Sequence, residues 1–309
     1  MLVSIIIPAY NEESDIKDVL ESIKKQNYPK ENIETIVIDD KSTDRTAKIA
    51  KNYDVKIIKG QHKGVGAARN LGIKKSKGEI ILFVDADQVL DKNYVKEITK
   101  PFKDKNVGGV TGLELLWNNK NIIAKLSYLK KRLGYETSSL VPLGAVRKKI
   151  IQEVGYIDPK FGMYDDWEFA KRVSEKYKTV RNRKAIFYHK EPTNIKKIYR
   201  QCRWTAKSTL MLYSKKEFQK ALRNSVFVLI NGLLPLYIIF LFAKSIISVF
   251  GFIGIILFLT LEFWRSYKIF KITKWKIAWL TPFYDAIYMM IVLIGILDIL
   301  IKRDFNFGV

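Results

Sequence analysis

The run Ile80 to Val84 is short, apolar and partly β-branched, and it stops at Asp85-Ala86-Asp87. Two carboxylates one residue apart at the mouth of a buried strand repel each other unless a cation or hydrogen-bond donors balance them. Oxygen ligands on a loop suit Mg2+ or Mn2+, which completes its shell with phosphate oxygens and water, although Asp-x-Asp by itself also fits a solvated turn. A second acidic pair, Asp165-Asp166, opens a helical stretch from Trp167 to Glu175. Aspartate is a favourable N-cap, and Asp165 is expected to take that role and leave Asp166 free. Crowding by Asp165 and Glu168 would raise the proton affinity of Asp166. Farther on, Arg200, Arg203 and Lys207 fall at i, i+3 and i+7, one face of a helix, while Ile195, Ile198, Cys202, Ala206, Thr209 and Tyr213 form a more apolar face. Guanidinium forks match phosphate oxygens, so the basic face suits a substrate phosphate or an anionic lipid.

These residues need a scaffold, and the chain has a legible α/β rhythm. Leu2 to Ile7, Ile33 to Ile38, Val55 to Ile58 and Ile80 to Val84 read as strands, separated by helical stretches at Asp15 to Gln26, Thr43 to Asn52 and Val65 to Lys75. Such alternation predicts a parallel sheet with helices on its faces, and ligands in these sheets bind at the carboxyl ends of the strands. Polar residues gather at those ends: Pro8 to Glu12, Asp39 and Asp40, and Asp85 and Asp87.

Charge separates the chain into zones. The formal net charge is +23, and +16 of it lies between residues 121 and 223. The single cysteine, Cys202, excludes an intrachain disulfide, and two histidines, His62 and His189, cannot complete a Cys/His zinc site. After the basic zone comes an apolar run from Ser225 to Phe263, broken by Lys244 and Glu262. It is long enough for two spans of about 20 residues each. Basic residues flank the pair on its outer sides, Lys215, Lys216, Lys220 and Arg223 before it and Arg265, Lys268, Lys271, Lys274 and Lys276 after it. The positive-inside rule then puts both flanks, and with them the first 190 or so residues, in the cytoplasm of a multi-pass cell-membrane protein. The stretch Ile277 to Ile301 reads as a third span or an interfacial helix. Met1 leads directly into a strand-like run, so no cleavable signal peptide is expected. The excess charge fits membrane lipids as partner and not nucleic acid. The expected organisation is a catalytic domain over 1–192, basic amphipathic interfacial helices over 193–223, and a membrane domain over 224–309.

Five segments in order, VSIIIPAYNEE (Val3 to Glu13), IVIDDKSTD (Ile36 to Asp44), GVGAARNLGI (Gly64 to Ile73), ILFVDADQVL (Ile81 to Leu90) and YDDWEFAKR (Tyr164 to Arg172), resemble the family 2 glycosyltransferases. Those are inverting enzymes of the GT-A fold, a Rossmann-like nucleotide-diphospho-sugar transferase architecture. The resemblance covers roughly residues 2 to 204. It implies that Pro8, Tyr10 and Glu12 line the base and ribose pocket, that Asp40 accepts a hydrogen bond from the base, and that Arg69 contacts the nucleotide. Asp85 would hold the ribose or a metal-bound water, and Asp87 would ligate a Mg2+ or Mn2+ cofactor on the donor diphosphate. His189 matches a position that supplies an extra metal ligand in some relatives. Asp166 corresponds to the carboxylate that acts as general base, taking a proton from the acceptor on the face opposite the leaving group.

Arg200-Gln201-Cys202-Arg203-Trp204 resembles the Gln-x-x-Arg-Trp motif of membrane-embedded members. Arg200 and Arg203 would grip the donor diphosphate or a lipid phosphate, with Trp204 at the acceptor site or the interface. Three positions depart from the pattern: Lys41 replaces a glycine, Tyr164-Asp165 replaces Thr-Glu, and Arg200 replaces Gln. Processivity is therefore not inherited. The expected activity is transfer of a sugar from a nucleotide-diphosphate donor, a UDP-sugar, to a membrane-associated, lipid-linked acceptor. A polyprenyl-phosphate glycosyltransferase and a processive polysaccharide synthase are the alternatives within the class, and a non-catalytic membrane scaffold is the alternative outside it.

Overall fold

In the computed structural model, which describes residues 1–138, 140–212 and 249–302, eight strands form one mixed sheet. Strands β1 (Val3–Ala9), β2 (Ile33–Asp39), β3 (Lys56–Lys59) and β4 (Ile80–Phe83) run parallel in the order β3-β2-β1-β4. The sheet continues from β4 through an antiparallel strand, so its other half is not the purely parallel array expected. That half holds β5 (Gln88–Leu90), β6 (Val107–Leu116), β7 (Ala145–Arg147) and β8 (Lys178–His189), in the order β7-β6-β8-β5.

Strands β1, β2 and β4 are largely buried on both faces, as their apolar runs require, whereas β3, at the edge of the sheet, is not. Ile5, Ile7, Val37 and Leu82 pack with Ile16, Val19, Leu20 and Ile23 of helix α1 (Ile16–Lys24), an i, i+3, i+4, i+7 stripe. Ile6, Ile36, Ile38 and Ile81 turn to the opposite face. A short α2 (Thr46–Ala50) precedes β3, and α3 (Val65–Lys75) covers that second face. Helix α3 lies close to β1 because Gly72 has no Cβ, which would stand 2.4 Å from Ile6 Cγ2. Helix α7 (Asp165–Lys176) adds Phe169, Ala170 and Val173 to the same layer. Between α3 and α7 the chain also forms α4 (Tyr94–Thr99), α5 (Ile122–Thr137) and α6 (Lys148–Val154).

The described residues fall into two compact units, one of Met1–Trp117 and Ser139–Lys190, the other of Asn118–Ser138 and the residues from Glu191 onward. The second unit contains α5, α8 (Ile195–Leu212), α9 (Val249–Thr273) and α10 (Thr281–Lys302). Ile198 and Cys202 of α8 pack with Tyr284, Ile291 and Val292 of α10, and Ala206 is buried. Ile195, expected on that apolar face, is instead 63% exposed, since it is the first residue of the helix. Thr209 and Tyr213 lie where side chains are not described.

Among the described residues no helix is long and apolar enough to cross a membrane. The first expected span, the part of 225–263 ahead of residue 249, lies outside the described residues. The second expected span overlaps the start of α9. The stretch 277–301 is a 3-10 turn, Lys276–Leu280, followed by α10.

At Gly112 in β6 an added Cβ would meet the Ala185 carbonyl oxygen at 2.5 Å, a backbone atom that cannot swing aside. Gly112→Ala is expected to cost about 1–3 kcal/mol through overpacking, read as a lower urea midpoint. An unchanged midpoint would contradict the close β6–β8 approach.

Candidate active site

Because β1, β2 and β4 are parallel, their carboxyl ends open on one edge, with Ala9 beside Asp39 in the register. Pro8 lies in β1 opposite Ile38. Tyr10 follows, and its ring lies 4.6 Å from that of His62, tilted by 52°. Asp40 is buried, at 5% exposure. Its Oδ1 accepts the His62 backbone N–H at 2.7 Å, and its carbonyl oxygen is 2.9 Å from His62 Nδ1. Oδ2 has no hydrogen bond among the described residues. A carboxylate oxygen beside two rings can read an imide N–H on a stacked base. The sequence alone implies no role for His62. It holds a left-handed backbone, φ 59°, which aims its N–H at Asp40.

After β4, Asp85 and Asp87 diverge. Asp85 Oδ1 accepts from Arg69 at 2.8 Å, and Oδ2 accepts from Gln88 Nε2 at 3.3 Å. Asp87 Oδ2 is 3.2 Å from His189 Nε2. The pairing of Gln88 with His189 between β5 and β8 produces this meeting across 102 residues. On its other side His189 Nδ1 is 3.3 Å from Glu114 Oε1. A carboxylate on the far nitrogen is the arrangement that orients a metal-binding imidazole. Glu114 was not foreseen, because it sits in the glycine-rich β6, whose pairing the sequence does not disclose. Burial disfavours the imidazolium of His189, but Asp87 and Glu114 outweigh it and hold the ring protonated well above the usual range. Lys190 secures this end of β8, donating its N–H to the Asp87 carbonyl at 3.1 Å and its ammonium to Asp15 at 2.6 Å and Asp18 at 2.7 Å.

Glu12 stands above these carboxylates. Burial first, then Asp87, Asp15, Asp85 and Asp44, push its carboxyl up to about 8. No described side chain donates a hydrogen bond to it. The edge thus carries more negative charge than its own cations neutralise, and the donors present, carboxylate and imidazole, suit a divalent cation with phosphate oxygens completing its shell.

The second acidic pair is divided by Arg69. Its buried guanidinium reaches Asp85 with Nη2 and Asp165 Oδ1, at 3.3 Å, with Nη1. Asp165 is only 2% exposed. The expected cap is therefore corrected: Tyr164 is the capping residue, its side chain making no capping hydrogen bond to the helix, and Asp165 is turned inward by the cation it must balance. Asp166 is half-buried, and its Oδ1 accepts the Trp167 N–H at 2.8 Å. The expected crowding by Glu168 is also absent, because Arg172 binds that carboxylate at 2.6 Å. Burial pushes Asp166 up, with Arg69 opposing and Asp85 adding. Asp165 rises to about 7, by burial against Arg69.

Arg200, Arg203 and Trp204 lie on α8 in the second unit. Arg203 Nε pairs with Asp298 Oδ2 at 3.0 Å, Arg200 is exposed, and Trp204 is 45% exposed.

The sequence matches the profile of "Glycosyl transferase family 2" over residues 4–138 and that of "Glycosyl transferase family group 2" over residues 80–296, more than half of the chain. The chain belongs to the family 2 glycosyltransferases. Among curated relatives, the poly(ribitol-phosphate) beta-N-acetylglucosaminyltransferase TarS of Staphylococcus aureus is 38% identical over 103 residues, 31% of this chain and 18% of that protein. The poly-beta-1,6-N-acetyl-D-glucosamine synthase of Staphylococcus epidermidis is 30% identical over 174 residues, 50% of this chain and 42% of that protein. The chain thus spans less than half the length of these relatives. The S. aureus TarS 1-349 structure in complex with UDP-GlcNAc is 25% identical, with a TM-score of 0.51, covering 68% of this chain and 67% of that one. The Pyrobaculum calidifontis mannosyltransferase PcManGT, solved with GDP-Man and Mn2+, covers 96% of this glycosyltransferase and 86% of its own chain at a TM-score of 0.62 and 17% identity. That likeness establishes the GT-A-like fold.

Two predictions follow from the electrostatics of the glycosyltransferase. Arg69→Met would leave Asp165 and Asp85 without their common cation, and about 3–5 kcal/mol of stability is expected to be lost at pH 8. Part should return on acidification to pH 5, as the carboxyls protonate; equal denaturation midpoints for variant and parent at pH 8 would contradict the pairing. Glu12 binds its proton more tightly in the folded chain than in the unfolded one. Its ionisation therefore erodes stability as pH rises from about 4.5 to about 8. Glu12→Gln should flatten that part of the melting-temperature profile in chelator-treated protein; an unchanged slope would contradict the assignment.

Proposed function

We propose that this glycosyltransferase is a metal-dependent, inverting enzyme that moves a sugar from a nucleotide-diphosphate donor, a UDP-sugar, to a membrane-associated, lipid-linked acceptor. The observation that carries the reading is the joining of Asp85, on the donor side, to the start of α7 at Asp165 and Asp166 through the buried guanidinium of Arg69. Donor-binding groups and a proton acceptor are then parts of one rigid cluster.

In this reading the base stacks on Tyr10 and donates its imide N–H to the free Oδ2 of Asp40, with Pro8 and Glu12 lining the pocket and Asp85 accepting from the ribose. Asp87 and His189 would hold Mg2+ or Mn2+, with Glu114 orienting the imidazole. A divalent cation bound there offsets the charge that gathers on the leaving nucleoside diphosphate. Asp166, whose proton affinity burial has raised, takes the proton of the acceptor hydroxyl as its oxygen attacks the anomeric carbon. Attack from the face opposite the leaving group gives inversion. The UDP complex chemistry of a relative at 25% identity, TarS with UDP-GlcNAc, supports the donor class.

The acceptor side rests on the sequence: the basic zone, the apolar run and the Arg200, Arg203 and Trp204 segment, together with a multi-pass cell-membrane location and a cytoplasmic catalytic unit. Membrane lipids are then partners and nucleic acid is not. Arg200 is exposed on α8 and available for an acceptor or donor phosphate, whereas Arg203 already faces Asp298.

Nucleoside diphosphate release over a panel of sugar donors, with Mn2+ or Mg2+ and with or without lipid acceptors, tests this. Asp166→Asn is expected to lower the rate by about 10²–10⁴-fold with little change in donor KM, and His189→Ala to raise the Mn2+ concentration needed for half-maximal rate. An undiminished rate in Asp166→Asn would overturn the assignment.

A further inference from the structure

In the second unit, an open cleft of about 500 Å3 is lined by Asn119, Lys120, Lys125, Trp275, Lys276 and Ile277. Its three lysines form no ion pair with any described carboxylate, whereas Lys130, Lys131 and Arg265 of the same unit all do. Lys125 Nζ lies 5.8 Å from the centroid of the Trp275 ring, whose other neighbour is Tyr128 at 5.9 Å. Helix α9 delivers Trp275 and Lys276 to the cleft by ending on Lys274 in the left-handed region, φ 58°, with the Lys274 N–H closing on the Phe270 carbonyl at 2.7 Å. Lysines without an acidic partner among the described residues, lining one cleft beside an aromatic wall, make a receptor for an anion that arrives attached to something apolar.

The adjoining surface says what that apolar part is. Trp264, Tyr267, Lys268 and Lys271 fall at i, i+3, i+4 and i+7 of α9, and both rings are about half exposed, 55% and 47%. Lys268 Nζ sits 3.5 Å over the Trp264 ring and Lys271 5.7 Å over that of Tyr267. Leu280 and Phe283, which follow the cleft residues in sequence, are 44% and 69% exposed. From residue 264 to 284 the sequence has five cations and no acid. Exposed indoles and phenols interleaved with lysines match the headgroup level of a bilayer, while a soluble polyanion would leave Leu280 and Phe283 in water.

We propose that this cleft binds the phosphate of an anionic phospholipid headgroup, with the α9 stripe and the 3-10 turn seated at the membrane interface. The proposal shares the membrane side of the reading above and is independent of sugar transfer, so it is tested without donor. The full chain in mixed detergent micelles containing equimolar phosphatidylglycerol and phosphatidylcholine is examined by native mass spectrometry for retained lipid. Parent protein is expected to retain phosphatidylglycerol selectively.

Each lysine near an anionic surface contributes about fivefold in affinity, so Lys120→Gln/Lys125→Gln/Lys276→Gln should lose roughly a hundredfold. The corresponding arginine variant should keep the selectivity, and the charge-matched Lys17→Gln/Lys24→Gln/Lys25→Gln variant, on α1 and at its C-cap, should bind as the parent does. Far-UV circular dichroism checks that each variant is folded. Equal loss in both glutamine variants would mean that net charge alone binds lipid and would overturn the site. Displacement of the lipid by millimolar inorganic phosphate, or by a single-stranded oligonucleotide, would overturn the lipid assignment. Absent donor turnover with intact lipid selectivity would count against the transferase reading alone.

Discussion

A buried guanidinium with a carboxylate on each arm organises the catalytic unit. Arg69 sits in the middle of α3, and α3 lies flush against β1 because Gly72 permits it, so the cation is fixed relative to the sheet. Burying an arginine is tolerable only with partners. Those it finds come from two distant segments, Asp85 at the end of β4 and Asp165 at the start of α7. Once the pair is drawn in, the orientation of the α7 N-terminus is settled. Asp166 is then held half-buried one residue beyond the clamp, where it binds a proton more readily than a solvated aspartate.

Around this clamp the charges are unevenly paid. Asp85 is answered by Arg69 and Asp87 by His189, while the charges that bear on Glu12 are those of other acids. A cation accompanying a nucleotide diphosphate would lessen its repulsion from this acidic edge. The imidazole of His189 is suited to accept one, because Glu114 fixes the opposite ring nitrogen and Lys190 anchors the strand end that carries it. The second unit has the opposite electrostatic character, with lysines unpaired at its cleft and along the aromatic stripe of α9.

Much of the first half of the sheet was legible in sequence because its strands are apolar runs punctuated by acids, and because fully buried parallel strands have little freedom to look otherwise. Lys41 shows how a departure from the family pattern can leave geometry intact: it adopts φ 68°, the left-handed conformation a glycine at that position supplies without cost. Strands β5, β6 and β7 were not legible. Two are three residues long, and β6 carries three glycines and two shifts of register, so hydrophobic period conveys nothing. That blindness hid Glu114, whose partner is 75 residues away. The role of Asp165 was misjudged for a related reason, since capping is a local inference and its true partner, Arg69, is 96 residues distant.

In the proposed function the Arg69 clamp sets a donor site at the strand ends, with Asp40 at the base and Asp87 with His189 at the cation. The most direct measurement is a crystal structure of the protein with UDP and Mn2+, with the ion located by its anomalous signal. One Mn2+ peak ligated by Asp87 and His189, the uracil imide on Asp40 Oδ2, and Arg69 still joined to Asp85 and Asp165 are expected. A Mn2+ peak away from Asp87, or a base bound elsewhere than beside Tyr10, would contradict it.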